Sequence, residues 1–188
     1  MSTTSTVRIR EVAPAEYPAI ADLHIASWRS AYRGIVKDRF LDETIYENRR
    51  AHWADTATWT IWGFVLAAEA ADGTLLGFIA CWEDRSSGFD VLLDNLHIHP
   101  DYKGGGLGRA LVAAAAARIV EAGYRSLYLY CFRDNARARR FYASIGGTVD
   151  EEGFDETFGE KLPHVRIVWP DAAALAARCS AAAAADRD

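Results

Sequence analysis

Four glycines in a short segment between a predicted strand and a predicted helix constrain this chain more than any other feature. The strand ends at Pro100, and an alanine-rich run predicts a helix over 107–122. Glycine adopts backbone angles that other residues avoid and lets a ligand approach the main chain closely. The first helical turn adds unpaired N–H groups that attract anions, and Lys103 and Arg109 add positive charge. The segment therefore predicts a phosphate or pyrophosphate site around Gly104, Gly105, Gly106 and Gly108.

The spacing of these glycines excludes two common nucleotide-binding motifs. A loop of the form G-x-x-x-x-G-K-[ST] does not occur in the sequence. The dinucleotide motif G-x-G-x-x-G/A fails in each frame, because Arg109, Leu111 and Leu107 occupy positions that require a small residue. A turn that binds no ligand is the alternative, although four glycines cost more backbone entropy than a plain turn requires.

The pattern of apolar residues predicts an α/β fold. Three consecutive strand signals, with a hairpin signal at Asp72-Gly73, lead into two strand-helix-strand units. This order indicates a mixed, largely antiparallel sheet of about seven strands with helices on both faces. The predicted strands are 7–12, 62–70, 74–83, 89–99, 126–132, 148–152 and 165–169, and the predicted helices are 14–32, 38–54, 107–122 and 135–145.

Length and charge set further expectations. A chain of 188 residues is the size of one domain, which we place over 1–170, followed by an alanine-rich helix or frayed tail over 171–188 that we interpret as a terminal appendage. The net charge of −5 argues against a nucleic-acid partner. No apolar run approaches the roughly 20 residues that span a bilayer. The first 12 residues lack an apolar signal segment, so we expect a cytoplasmic protein without membrane contact.

Two motifs resemble signatures of the GNAT superfamily of acetyl-CoA-dependent N-acetyltransferases. The first is similar to Q/R-x-x-G-x-G/A, follows an L-x-V strand and a proline, and consists of Leu96-His97-Ile98, Pro100 and Lys103-x-x-Gly106-x-Gly108. The second is similar to N-x-x-A-x-x-F-Y-x-x-x-G and consists of Asn135-x-x-Ala138-x-x-Phe141-Tyr142-x-x-x-Gly146. Both lie on the expected elements in the expected order. Lys103 and Gly147 depart from the usual residues, and we expect neither to change the chemistry.

The resemblance implies a GNAT-like fold and acetyl-CoA as the acyl donor. Main-chain N–H groups of the glycine segment would bind the pyrophosphate, and the Ile98 N–H would stabilise the oxyanion. Tyr142 would protonate the leaving thiolate, unless it is only a core aromatic residue. The implied cofactor-binding residues are Leu96, His97, Ile98, Lys103, Gly104, Gly105, Gly106, Leu107, Gly108, Arg109, Asn135 and Tyr142.

The base that deprotonates the incoming amine is less constrained. Asp94 is our candidate, and it joins Tyr142 as the second predicted catalytic residue. It shares strand parity with Leu96 and Ile98, so we expect it on the same face, about 7 Å behind Leu96. A structural or solvated aspartate is an equal alternative, and Glu83 is the reserve candidate.

We expect neither a metal site nor an enzyme nucleophile. His97 and His99 share a strand face, but the other histidines are scattered and no carboxylate lies nearby at ligand spacing. Cys131 lies in an apolar strand, and no histidine is placed by sequence to activate it. The three cysteines form no CxxC pair, so a disulfide framework is not expected.

The acceptor stays open among a small amine, an amino acid, an antibiotic and a protein amine. We expect an aromatic wall of the acceptor site from Trp28, Tyr32, Trp53 and Phe158. We expect attraction of a cationic amine from Glu43, Glu47, Glu83 and Asp84. The alternative is that the aromatic residues belong to the core and the acidic residues to the solvated surface. A non-catalytic acyl-CoA-binding module and a different nucleotide-binding enzyme are the alternative functions. Pairing of edge strands between two copies would give a homodimer.

Overall fold

The computed structural model describes residues 7–156 and 158–185. All of its strands form one seven-stranded sheet in the order β1-β2-β3-β4-β5-β7-β6, which confirms the predicted α/β fold. The strands are β1 (Arg8–Glu11), β2 (Gly63–Glu69), β3 (Leu75–Glu83), β4 (Val91–Ile98), β5 (Leu127–Phe132), β6 (Thr148–Asp155) and β7 (Leu162–Trp169). The helices are α1 (Tyr17–Ala31), α2 (Ile45–Thr56), α3 (Leu107–Glu121), α4 (Ala136–Ser144) and α5 (Ala172–Ala185).

The sheet is antiparallel except at its centre. β1 to β4 form a meander of antiparallel neighbours, and β5, β7 and β6 are also antiparallel to one another. β4 and β5 are parallel, because the chain crosses over through α3 between them. The one parallel contact therefore lies in the middle of the sheet, at the beginning of both β4 and β5.

Helices cover both faces of the sheet, as predicted. On one face, Ile20 of α1 and Trp53 of α2 pack with Phe78 of β3. On the other face, Leu111 and Ile119 of α3 belong to a larger core that also includes residues of α4 and α5. Removing such side chains from water supplies the main favourable free energy of the fold.

One helix and two strands differ from their predicted bounds. The predicted helix over 38–54 begins with a π-helical turn, Phe40–Thr44, before α2 starts at Ile45. The last two strands are longer than predicted. The polar residues of β6 do not alternate with apolar ones, so the sequence pattern did not indicate its full length. β6 is an edge strand with an almost entirely exposed surface, and Arg166 of β7 pairs with its Asp150.

The C-terminal helix belongs to the main core. α5 packs on α3, and three of its side chains, Ala172, Leu175 and Cys179, are buried in the larger core. Their spacing of three and four residues places them on one helix face. Because these residues are buried, the interpretation as a terminal appendage is wrong for them. The sequence concealed the apolar periodicity because alanines occupy every face of the helix. The boundary at residue 170 stays a prediction, and residues 186–188 of the tail lie outside the described residues.

Candidate active site

The two central strands separate over most of their length. Their paired residues are Val91 with Leu127 and Leu92 with Tyr128, although β4 continues to Ile98 and β5 to Phe132. The His99 N–H donates to Leu76 of β3 at 2.8 Å. Successive N–H groups of an extended chain point to opposite edges, so the Ile98 N–H points to the side where β5 has separated.

A cleft of about 800 Å³ opens at this separation. It extends from the ends of the two strands to the glycine segment, with α1 and α4 as its sides. Most of the predicted cofactor-binding residues line it, namely Leu96, His97, Ile98, Lys103, Gly104, Gly106, Leu107, Gly108, Arg109, Asn135 and Tyr142. The structure thus brings together two motifs that are about 30 residues apart in the sequence.

The glycine segment leaves open space beside its backbone. Gly104 and Gly106 have φ angles of +99° and +75°, a region that L side chains rarely adopt, and Gly106 immediately precedes α3. Gly105 has no positive φ angle, and a Cβ atom built on it would meet no atom within 4 Å. Neither the backbone nor the packing of the chain therefore requires glycine at position 105. Gly105 is also the one predicted cofactor-binding residue that does not belong to the lining of the cleft.

Positive side chains surround this open space. Lys103, Arg109 and Arg137 all line the cleft. Lys103 Nζ donates to Ser30 Oγ of α1 at 3.2 Å, and burial together with the charge of Arg137 lowers the pKa of Lys103. Such a cluster at a helix N-terminus favours an anion of high charge. Sequence reasoning missed Arg137, although it lies two residues after Asn135 in the second motif.

Tyr142 lies at the inner end of the cleft. Its side chain is 8% exposed, and its ring packs edge-on against Phe141 and Trp169 at centroid distances of 5.3 and 5.9 Å. Burial, assisted by the neighbouring Cys131 and Tyr32, raises the pKa of Tyr142 well above 10. Its hydroxyl group is therefore protonated at neutral pH.

Asn135 serves first as the N-cap of α4. Its side-chain oxygen accepts a hydrogen bond from the Ala138 N–H at 3.1 Å. This bond stabilises the first turn of the helix that carries Tyr142. The predicted contact of Asn135 with a cofactor stays a prediction, and its side-chain nitrogen would make it because the oxygen is engaged in the cap.

A β-bulge places Asp94 on a different face from the one predicted. Ala80 is opposite Asn95 whereas Cys81 is opposite Leu93, so β4 carries one extra residue at Asp94. Leu96 and Ile98 pack against the core that contains α3. The Asp94 carboxylate points to the α1–α2 side, where it accepts from Trp82 Nε1 at 3.2 Å. The expectation of a shared face is wrong, because a bulge reverses the alternation that parity assumes.

Asp94 lines a second, smaller cavity of about 250 Å³ between β4 and the first two helices. The side chain also accepts from Asn95 Nδ2 at 2.7 Å and lies 3.8 Å from His52 Nε2. Burial raises the pKa of Asp94, although the charges of His52 and Arg49 and the Trp82 bond oppose the effect. Trp28, Tyr32 and Phe158 line this cavity, whereas Trp53 lies in the core. Its lining contains none of Glu43, Glu47, Glu83 and Asp84.

The two cavities share Tyr32, His97, Tyr130 and Cys131 in their linings, so they adjoin at the strand separation. His97 Nδ1 lies 3.0 Å from Ser27 Oγ, and burial lowers the pKa of His97 to about 3. Burial raises the pKa of Cys131 to about 11, so its thiol is protonated at neutral pH. Among residues 7–156 and 158–185 no three histidine, cysteine or acidic side chains cluster in a way that would hold a metal ion.

Comparison of the sequence with models of known families identifies the family of this chain. The model of the acetyltransferase (GNAT) family matches residues 19–146, which contain both motifs, Asp94 and Tyr142. The chain belongs to the GNAT acetyltransferase family. This match confirms the resemblance of the two motifs. It also confirms, at the level of the family, the expectation of an acetyl-CoA-dependent N-acetyltransferase.

Relatives of this GNAT acetyltransferase match over nearly their full length. It is 28% identical to YuaI, an uncharacterized N-acetyltransferase of Bacillus subtilis, over 90% of this chain and 96% of YuaI. It is 31% identical to an aminoglycoside N(6')-acetyltransferase type 1 of Stenotrophomonas maltophilia, over 87% and 94% of the two chains.

Solved structures share the fold of this GNAT acetyltransferase. The PaiA N-acetyltransferase of Thermoplasma acidophilum, in complex with coenzyme A, superposes with a TM-score of 0.66 at 22% identity, over 85% of this chain and 98% of PaiA. A mutant of the spermidine N-acetyltransferase SpeG of Vibrio cholerae gives a TM-score of 0.61 at 18% identity, over 87% and 94%. None of the helices in the described part of the GNAT chain has the length and apolar composition to cross a membrane.

Proposed function

We propose that this GNAT acetyltransferase moves the acetyl group of acetyl-CoA directly to the primary amine of an acceptor bound in the smaller cavity. The observation that carries the proposal is the meeting of two cavities at the separation of β4 and β5. The larger one is lined by the glycine segment and Tyr142, and the smaller one by Asp94. A donor and an acceptor in these cavities would meet where the strands separate.

The larger cleft suits the donor. The backbone N–H groups from Gly104 to Arg109 would bind the pyrophosphate, supported by the positive charges of Lys103, Arg109 and Arg137. The pantetheine arm would extend along Leu96 and Ile98 and reach Asn135 on the opposite side. The presence of Gly104, Gly106 and Gly108 in the lining of the cleft supports this assignment.

The residues at the strand separation support direct transfer. Bound acetyl-CoA supplies an activated acyl group as a thioester. The Ile98 N–H would stabilise the oxyanion that forms when the amine nitrogen attacks the carbonyl carbon. As the carbon–sulfur bond breaks, Tyr142 would donate its proton to the leaving sulfur, which its raised pKa makes available at neutral pH. Cys131 need not act as a nucleophile in this scheme.

Asp94 is our candidate for the base, directly or through a water molecule. It lines the acceptor cavity, and its raised pKa makes its carboxylate a better proton acceptor than an exposed aspartate. Hydrogen bonds from Trp82 and Asn95 hold the side chain in place, and His52 lies beside it. Glu83 pairs with Arg85 and is absent from the lining of the cavity, which disfavours it as the reserve candidate.

Calorimetry on Gly105 variants tests the donor site. Gly105→Ala and Gly105→Val should fold like the parent chain, because residue 105 has no positive φ angle and open surroundings. Affinity for acetyl-CoA should fall progressively with side-chain size, by about tenfold or more for valine, as phosphate hydrogen bonds are lost. Acetyl-CoA binding that is unchanged in the valine variant would contradict the site.

Thiol release on mixing acetyl-CoA with a panel of amines tests the chemistry. We expect turnover that depends on both components. Tight acetyl-CoA binding without turnover on any amine would instead indicate a non-catalytic acyl-CoA-binding module. A chain that binds NAD or ATP in thermal-shift assays but ignores coenzyme A would indicate a different nucleotide-binding enzyme.

A further inference from the structure

Arg49 of α2 places a buried positive charge in the smaller cavity. Its side chain is 9% exposed and forms part of the cavity lining. The guanidinium carbon lies 4.7 Å from the centre of the Trp28 ring and 5.9 Å from that of the Phe158 ring. These contacts fix the position of the guanidinium group on the aromatic side of the cavity.

Within residues 7–156 and 158–185, Arg49 forms no ion pair, and its side-chain hydrogen bonds go to a neutral amide. Nε and Nη2 both donate to the uncharged Oδ1 of Asn48, at 2.8 and 2.5 Å. Burial lowers the pKa of Arg49, while the charges of Asp94 and Asp155 oppose this effect through space. Keeping a buried cation on a neutral amide oxygen is unfavourable, and a bound anion would remove much of the penalty.

The remainder of the cavity combines acidic and aromatic side chains, which suit an amine with an apolar group. The carboxylates of Asp94, on β4, and Asp155, on β6, belong to the same lining and would attract an ammonium group. Aromatic rings of Trp28, Tyr32, Phe132 and Phe158 also line the cavity, whose volume is about 250 Å³. That volume lies below the usual range of about 300–1,000 Å³ for sites of drug-sized ligands.

We propose that the acceptor is a small primary amine that also carries a carboxylate, of the class of free amino acids with an apolar side chain, and that Arg49 binds this carboxylate. The proposal rests on the proposed function and names the substrate class of the same site. The planar guanidinium group matches the two oxygens of a carboxylate. With the carboxylate at Arg49, the ammonium group would face Asp94 and the junction with the donor cleft.

Arg49 also disfavours a polycationic acceptor. A spermidine or an aminoglycoside would place several ammonium groups in a small cavity that already contains a buried guanidinium group. Like charges at such short range repel strongly where water is excluded. The transfer itself needs no further reactant. One carbon–nitrogen bond forms and the thioester bond breaks. The ammonium proton leaves through Asp94, and the second proton that the nitrogen loses replaces the one that Tyr142 gives to the sulfur.

The test compares three acceptors that differ in one group. Leucine, leucinamide and 3-methylbutylamine share the amine and the side chain, but only leucine carries a carboxylate. We expect kcat/KM for leucine to exceed that for the other two by about 100-fold, since charge-assisted hydrogen bonds are lost without the carboxylate. Spermidine and kanamycin should be poorer acceptors than leucine.

Variants of two adjacent arginines connect this preference to Arg49. Arg49→Gln should abolish the preference for leucine over 3-methylbutylamine, and Arg49→Lys should retain part of it. Arg50→Gln is the matched control, because Arg50 is exposed on the same helix and pairs with Asp22 of α1. We expect Arg50→Gln to keep the wild-type preference.

Acetyl-CoA calorimetry separates the two proposals. A chain that does not bind acetyl-CoA refutes the proposed function. A chain that binds acetyl-CoA but acetylates leucine no faster than 3-methylbutylamine, prefers spermidine, or acetylates no carboxylated amine refutes the assignment of Arg49 alone. Retention of the leucine preference in Arg49→Gln also overturns it.

Discussion

Replacing Tyr142 by phenylalanine isolates the proton donor of the proposed reaction. The ring is 8% exposed and packs against Phe141 and Trp169 on its apolar surface. Phenylalanine keeps these contacts and removes only the hydroxyl group. We therefore expect the free energy of unfolding to change by no more than about 1 kcal/mol, the usual range for one hydrogen bond.

The effect on catalysis should be far larger. General acid catalysis by a positioned side chain contributes about 10²–10⁴-fold to a rate, which corresponds to roughly 2.7–5.4 kcal/mol of activation free energy. We expect kcat of Tyr142→Phe to fall within this range while the affinity for acetyl-CoA changes by less than about threefold. The pKa of Tyr142 is well above 10, so deprotonation of its hydroxyl group should not limit the wild-type rate up to about pH 9.

The assay follows thiol release to obtain kcat and uses calorimetry to obtain acetyl-CoA affinity. Tyr128→Phe is the matched control. Tyr128, on β5, is buried like Tyr142 but lines neither cavity. It should lose some stability and keep its kcat. An unchanged kcat in Tyr142→Phe, or equal losses in both variants, would refute the assignment of the acid.

Two further predictions concern the base and the C-terminal helix. Asp94→Asn should lower kcat/KM at neutral pH by about 100-fold. Because burial raises the pKa of Asp94 above 3.8, wild-type activity should fall on acidification at a higher pH than for an exposed aspartate, and a pH–rate profile unchanged in the variant would exclude this base. Leu175→Ala should destabilise the fold by about 2–5 kcal/mol and lower Tm by roughly 5–20 °C. Thermal unfolding measures this against Ala177→Ser on the exposed side, and equal Tm values would show that α5 does not support the core.

The donor cleft was largely predictable because its signals are local. Gly104 and Gly106 adopt backbone angles that favour glycine, and Pro100 and the start of α3 bound the segment on either side. Asn135 caps α4 within one turn of its own sequence position. Such features depend on residues a few positions apart, so their spacing alone predicts them.

The acceptor cavity was not predictable in the same way. The face of Asp94 depends on the bulge that β4 forms against β3, which a rule of alternation does not include. Arg49 lies on a predicted helix among other charged residues, and no local pattern distinguishes it from the exposed Arg50. Its burial results from packing against Trp28 and Phe158, which are 21 and 109 residues away in the chain.

The amino-acid sequence by itself therefore determined the order of the elements, the position of the glycine segment before α3 and the family. These properties follow from hydrophobic periodicity and from backbone preferences that act over a few residues. The tertiary structure alone decided which face Asp94 occupies, that α5 completes the core, and that Arg49 is buried beside the site. Each of these depends on contacts between distant segments, whose free energies exceed local preferences and leave no regular spacing in the sequence.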